Sequence, residues 1–343
     1  MEIEITAEQR AFRESCGRLA AVLAAQWNRG RGPHDIDPPV PDEASWSRIV
    51  DTGWLAIGLR EENGGAGAGV VDLTVLAEQL GHHAVAAPVL GTILAAEQLQ
   101  AWGAPSGLLQ DIAEGEIRLA PALDADLRGL ARAAAGALAW DAAGAEAAVI
   151  PSSGVAYSLG DRLPFADPTR AVRPLGAPSA GIPTFAPTAP DDDAAARLDA
   201  FALSLLTADL LGTMQAALAA AIEHARTRAQ FGAPIGSFQA VQQLLADGHV
   251  LVEAGRSASY YSAWAVDALP GREALRAARV AKAFVSRSAV EVCESAVQVF
   301  GGIGMTWEAP AHIWLRRAHA GRSVLGDEHH HQSFIADNDL SRS

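Results

Sequence analysis

Apolar residues at Phe12, Cys16, Leu19, Leu23 and Trp27 recur every three or four positions. That spacing predicts a helix with one buried face. Thr6-Ala-Glu-Gln9 just before it reads as a capping box that opens the helix. A loop rich in Gly, Pro and Asp follows to about Asp42, and a second helix carries Trp46, Ile49 and Val50 inward and stops at Gly53. "ENGGAGAG", 62–69, reads as a turn. Asp72 then caps a helix with Leu73, Leu76 and Leu80 inward and Gly81 as its stop, and another helix fills Val89 to Trp102.

From about 119 the pattern changes. "AAVIPSSGVAYSL" and "GIPTFAP" are short β-like runs between Pro, Gly and Ser, and "DRLPFADPTRAVRPLGAPSAG" reads as loop. Helix returns at Asp192 to Ala229, again after a Ser237 cap, over Arg272 to Phe300, and over Ala311 to about Ser323. Long helices with short connections imply a bundle. The expected fold is mainly α with a small β domain: an N-terminal helical domain over 1–118, a reduced middle β domain over 119–191 and a C-terminal four-helix bundle over 192–343.

Composition narrows the partners. The 343 residues carry a net charge of −14 and half of them are hydrophobic. A diffusely acidic surface argues against nucleic acid or an anionic membrane. Lys282 is the only lysine. Cys16 and Cys293 lie far apart in helical patterns and read as buried thiols in a reducing cytoplasm. The N-terminus shows no signal-peptide pattern. Ala200 to Ile222 is apolar enough to span a bilayer, but Thr207, Asp209, Gly212 and Gln215 interrupt it, so a helix buried in the bundle is expected.

Two segments stand out chemically. In "RTRAQFGAPIGSFQAVQQLLAD", 226–247, Arg228 and Gln230 sit at a turn beside Phe231, where a guanidinium near a free helix N-terminus suits a pyrophosphate. An ordinary interhelical turn with a surface arginine has the same composition. In "QVFGGIGM", 298–305, glycines end a helix and allow close backbone approach, and Gln298 offers an amide. No strand precedes these glycines, so they are not a dinucleotide fingerprint.

Together the two segments resemble the acyl-CoA dehydrogenase family. The family pattern Arg-x-Gln-Phe-Gly-x-Pro-Ile-x-x-Phe-Gln is met by Arg228, Gln230, Phe231, Gly232, Pro234, Ile235, Phe238 and Gln239. Gln-x-x-Gly-Gly-x-Gly is met by Gln298, Gly301, Gly302 and Gly304. The resemblance implies α,β-dehydrogenation of an acyl-CoA thioester with FAD shared between neighbouring subunits. One subunit's middle domain holds the isoalloxazine ring, and the neighbour's bundle holds the adenine and pyrophosphate end. Carried over, Arg228 meets the pyrophosphate, Gln230, Phe231 and Ile235 line that end, and Gln298, Gly301 and Gly302 complete it.

The sequence departs from the family where the chemistry belongs. A glutamate base normally lies in a Tyr-Glu-Gly-Thr stretch, and here Arg316, Arg317, Ala318 and Gly326 set the register so that Leu325 takes its place. The alternative base site on the long helix falls near Ala202, with Asp199 and Asp209 out of register. The middle domain lacks Thr-Glu-Pro-x-x-Gly-Ser-Asp and reads "LAPALDADLRGLARAAAG". No catalytic residue is therefore assigned. The pattern resembles the short, base-lacking subunit of actinobacterial heterotetrameric members, including those acting on steroid side chains. The expected partners are a catalytic chain of the same family, or further copies of this chain in a tetramer. The rival reading is a self-sufficient dehydrogenase, or a flavin oxidase or monooxygenase of the same superfamily, in which Asp327, Glu328 or His329 acts as base. A metal site in Asp327 to His331 is not expected, because consecutive residues on a helix point in different directions.

Overall fold

The computed structural model describes residues 5–28, 38 and 40–340. Most of the Gly-, Pro- and Asp-rich loop before Asp42 lies outside them. The first helical layer is α1 (Ala7–Asn28), α2 (Glu43–Asp51), α3 (Val70–His82), α4 (Val89–Ala101) and a short α5 (Ser106–Ala113). The capping box forms at α1: the Gln9 N–H donates to Thr6 Oγ1 at 3.2 Å, and the Thr6 N–H donates to Gln9 Oε1 at 3.0 Å.

Two expected signals act differently. Asp72 does not cap α3, whose N-cap is Gly69; Asp72 instead accepts from Gln9 Nε2 at 2.9 Å. Gly81 does not stop α3 either. A Cβ on Gly81 would lie 1.9 Å from the Asp209 carbonyl oxygen, and one on Gly212 would lie 1.9 Å from the Glu78 carbonyl oxygen. These glycines let α3 and the long helix α6 (Asp192–Thr227) cross backbone to backbone.

The middle of the chain closes into a five-stranded barrel in the order β1-β2-β5-β4-β3. Its strands are β1 (Leu119–Leu123), β2 (Leu138–Trp140), β3 (Ala147–Ile150), β4 (Val155–Leu159) and β5 (Val172–Pro178). β1 and β3 pair in parallel, and the other pairs are antiparallel. Ala120, Ala139, Ala142, Ala145 and Ala148 form its inner cluster. Small side chains are what so narrow a barrel admits. The "GIPTFAP" run is not a strand, whereas "VRPLGAP", inside the segment expected to be loop, is β5.

The bundle is α6, α7 (Gln239–Ala268), α8 (Gly271–Phe300) and α9 (Ala311–Ser323), with α10 (Glu328–Leu340) against α8. Ser237 does not cap α7. It lies in a short 3-10 turn, donates to the Pro234 carbonyl at 2.7 Å, and leaves Phe238 as N-cap. Helix α6 is long and apolar enough to cross a membrane, but 78% of its most apolar window is buried in the protein. Cys16 and Cys293 are both buried and free.

Candidate functional site

Helix α6 ends at Thr227, and the chain turns back in a two-residue hairpin. β6 (Ala229–Gln230) pairs antiparallel with β7 (Ala233–Pro234). Phe231 and Gly232 at its tip both have positive φ, 53° and 81°. Two such residues define the hairpin turn that matches strand twist. Gly232 adopts that conformation freely. Phe231 does so at a cost of about 1–2 kcal/mol, and its ring is 94% exposed. The turn thus presents the ring to the surface, edge-on to Phe238 with ring centroids 6.2 Å apart. Arg228 and Gln230 are exposed on the same hairpin, and Ile235 follows it half-buried.

The glycine turn meets this hairpin. Phe300, the last residue of α8, stacks on His224 near the end of α6, with ring centroids 4.5 Å apart. Gly301 has φ 65° and ψ −145°, a conformation only glycine adopts readily. A Cβ at Gly301 or Gly302 would meet nothing within 4 Å, so the turn is open rather than packed. Gln298 is exposed beside it. The two motifs thus share one end of the bundle and form an open cradle with a guanidinium and two side-chain amides. That chemistry suits the phosphate and nucleoside end of a dinucleotide.

The other end of α6 carries a cleft of about 450 Å³, lined by both Ala202 and Leu325. The two positions where a base is sought therefore face one space, and neither side chain accepts a proton. Asp199 lines it too, and burial raises its pKa. Leu325 is 5% exposed and has φ 57°. Its N–H donates to the Leu127 carbonyl at 2.6 Å. Leu127, itself at φ 59°, sits in the turn between β1 and β2, where the resemblance implies Thr-Glu-Pro-x-x-Gly-Ser-Asp. That turn is self-satisfied. Arg128 N–H donates to Asp124 Oδ1 at 2.7 Å, and Asp124 N–H donates to the Gly129 carbonyl at 3.0 Å. Leu127 and Leu130 pack against the main core. The segment packs on the core and occupies the Leu325 amide, and it carries none of the Thr and Ser hydroxyls that the resemblance places there for a flavin ring.

Lys282 holds the Leu325 loop from α8. It is fully buried and donates to the carbonyls of Gly321, Arg322 and Gly326 at 3.1, 3.1 and 2.9 Å, and to Ser286 Oγ at 3.0 Å. The only lysine caps the C-terminus of α9 from outside. Burial lowers its pKa to about 7.

The acidic and histidine cluster is built into α10. Asp327 caps that helix, accepting from the His330 N–H at 2.9 Å. Glu328 is buried and pairs with Arg322 through both oxygens, one at 2.7 Å. His329 is exposed. None of these three lines the cleft, whereas His330 and His331 do. Arg279 Nη1 lies 3.3 Å from His331 Nδ1, which fixes the neutral ring as acceptor there. Burial and the neighbouring Lys282 and Arg279 push the His331 pKa down to about 3. The unfolded ring takes its proton near pH 6.5. Stability from this group is therefore present above pH 6.5 and is lost as the pH falls toward 3. His331→Gln is expected to make the fall in Tm between pH 6.5 and 4 shallower than in the parent; an unchanged slope contradicts the assignment.

Sequence reasoning missed a buried ionic network behind the cleft. Asp209 accepts from Arg317 at 2.5 and 3.2 Å and from Arg170 at 3.1 Å. Arg170 also pairs with Asp141 at 2.5 Å, Asp141 accepts from the Gly91 N–H at 2.8 Å, and Arg317 reaches Thr169 and Asp167. The network ties α4, the barrel, α6 and α9 together. Its one signal in the sequence was Asp209, a lone charge in an apolar helix, which needs a buried partner.

Comparison with known proteins agrees with this architecture. Residues 6–115 match the model of the acyl-CoA dehydrogenase N-terminal domain, and residues 201–339 match that of the C-terminal domain. Acyl-CoA dehydrogenase IpdE2 of Mycobacterium tuberculosis is 32% identical over 83% of this chain and 83% of its own length. The chain belongs to the acyl-CoA dehydrogenase family. Another member, IpdE2 of Mycolicibacterium smegmatis, is 32% identical over 90% of this chain and 93% of its own. The ChsE4-ChsE5 complex from M. tuberculosis contains a chain of the same fold, with TM-score 0.80 and 23% identity over the full length of both chains. Acyl-CoA dehydrogenases are flavoproteins, oxidoreductases acting on CH–CH bonds.

Proposed function

We propose that this chain is the non-catalytic subunit of a cytoplasmic acyl-CoA dehydrogenase and completes the FAD site of a related catalytic chain. The observation that carries this reading is separation. Ala202 and Thr227 are the cleft end and the cradle end of one unbroken helix. At 1.5 Å per residue the span is about 38 Å, further than one dinucleotide reaches. The cradle of one chain therefore serves a cofactor whose ring sits elsewhere. This chain's own ring end is closed by the Leu127 turn, and its cleft has no base at Leu325 or Ala202. The solved ChsE4-ChsE5 complex, in which two differently named chains assemble, supports the same arrangement.

In this reading Arg228 pairs with the pyrophosphate, Gln230, Phe231 and Ile235 cover that end, and Gln298, Gly301 and Gly302 complete the cradle. When bound, FAD supplies the hydride acceptor, and the partner chain supplies the base that takes the α-proton of the acyl-CoA. A missing base costs roughly 10²–10⁴ in rate, so the chain alone has little activity.

The test is flavin stoichiometry. The chain purified alone is expected to hold little flavin, and the co-expressed complex to hold fewer flavins than chains. Arg228→Ala in this chain is expected to lower the flavin content of the complex. A yellow homotetramer with strong activity overturns the proposal. If Asp199→Asn abolished that activity, Asp199 would be the base of a self-sufficient enzyme.

A further inference from the structure

The cleft beside Leu325 is not an inert remnant. Its wall carries hydrogen-bond donors that the fold leaves unpaired, and two guanidiniums beside Asp199. Gln98 on α4 is 3% exposed, and its Nε2 has no hydrogen-bond partner among the described residues. Arg279 Nε is likewise buried without a partner, although its Nη1 faces His331 and its guanidinium lies 3.5 Å from the Phe334 ring centroid. Buried donors left unpaired cost free energy, and a ligand oxygen removes that cost. Gln98 and Arg279 both line the cleft.

The charge balance points the same way. Asp199 shares the cleft with Arg279 and Arg132; burial raises its pKa, and the two arginines offset part of that rise. Neither arginine forms an ion pair with it. Two guanidiniums therefore face Asp199. Arg128, also on the cleft, is engaged by Asp126 at 3.5 Å, and Asp192 lies in the first turn of α6. Leucines, alanines, prolines and Trp102 make up most of the remaining wall. A volume of about 450 Å³ lies in the usual range of small-molecule sites.

We propose that this cleft binds a carboxylate carried on an apolar body. Arg279 and Arg132 receive the carboxylate, and the Gln98 amide donates to a carbonyl or hydroxyl oxygen of the same molecule. A free carboxylate lacks the thioester that acidifies the α-proton, so the molecule is held and not dehydrogenated. The site does not depend on the partner-subunit reading, since flavin counts test one and ligand binding tests the other.

Calorimetric titration of the full chain with decanoate, below its micelle concentration, tests the site. Decanamide controls for charge, and coenzyme A supplies an anion without the hydrocarbon. Decanoate is expected to bind one per chain, and decanamide about tenfold more weakly or worse. Arg132→Gln, an exposed position, is expected to weaken decanoate about tenfold, and Leu203→Trp to block it. Asp199→Asn is expected to tighten it, because it removes the competing anion. A purely structural role for these residues does not give opposite signs at positions 132 and 199. Equal binding of decanoate and decanamide, no binding of decanoate, or binding of coenzyme A alone overturns the proposal. So does decanoate binding that neither Arg132→Gln nor Leu203→Trp disturbs.

Discussion

Asp209→Ala is expected to lower Tm by roughly 10 °C. The substitution leaves Arg170 and Arg317 side by side, both buried, with only Asp141 and Asp167 to balance them. Removing one partner of a buried ion pair costs about 3–5 kcal/mol, because the remaining charge is neither hydrated nor paired. Each kcal/mol moves the midpoint of a large domain by about 2–4 °C. Asp209→Asn keeps one oxygen acceptor and is expected to cost less. Because the network joins four elements, loss of Asp209 is also expected to loosen the barrel against α6. Thermal melts of the three proteins check this. A melt within about 2 °C of the parent for Asp209→Ala would show that the network is not structural. If the same variant lost activity in a co-expressed complex without losing stability, Asp209 would have a chemical role.

Lys282→Met is the second large effect. From a fully buried position the ammonium reaches three carbonyls and a hydroxyl. Each abandoned buried acceptor costs about 1–3 kcal/mol. The change also removes the desolvation penalty of a buried cation, so the net loss is expected at about 2–4 kcal/mol. The damage is expected to be local. Leu325 has a left-handed backbone beside Gly326 and the end of α9, the groups that Lys282 holds. Hydrogen exchange at residues 321–331 should therefore rise well before exchange in α6 or α8 does. Uniform exchange across the bundle, or no change at residues 321–331, would show that Lys282 does not restrain the loop.

How much the sequence discloses depends on how far apart the interacting residues lie. The cradle was legible because Arg228 to Phe238 is one contiguous turn and Gln298 to Gly304 another. Leu325 was legible because Gly326 and the arginines before it fix a local register. The barrel was harder to read. Its strands are three to seven residues long and alanine-rich, without the alternation that marks a half-buried strand. The ionic network was invisible because the partners of Asp209 lie 39 and 108 residues away in the chain. The cleft was invisible for the same reason, since Gln98, Arg132, Asp199 and Arg279 come from four separate segments. Gly81 misled because a glycine near the end of a helix reads as a stop, while here it permits a close crossing.

The hydrogen bond from the Leu325 amide to the Leu127 carbonyl bears on how such a chain changes over generations. A single codon change could return a glutamate to position 325, but the amide at that position would remain engaged by the β1–β2 turn. Freeing that amide would require remodelling a turn some two hundred residues upstream at the same time. On the partner-subunit reading, loss of the base is then hard to reverse, and a lineage that has taken it depends on the companion chain that supplies the missing group.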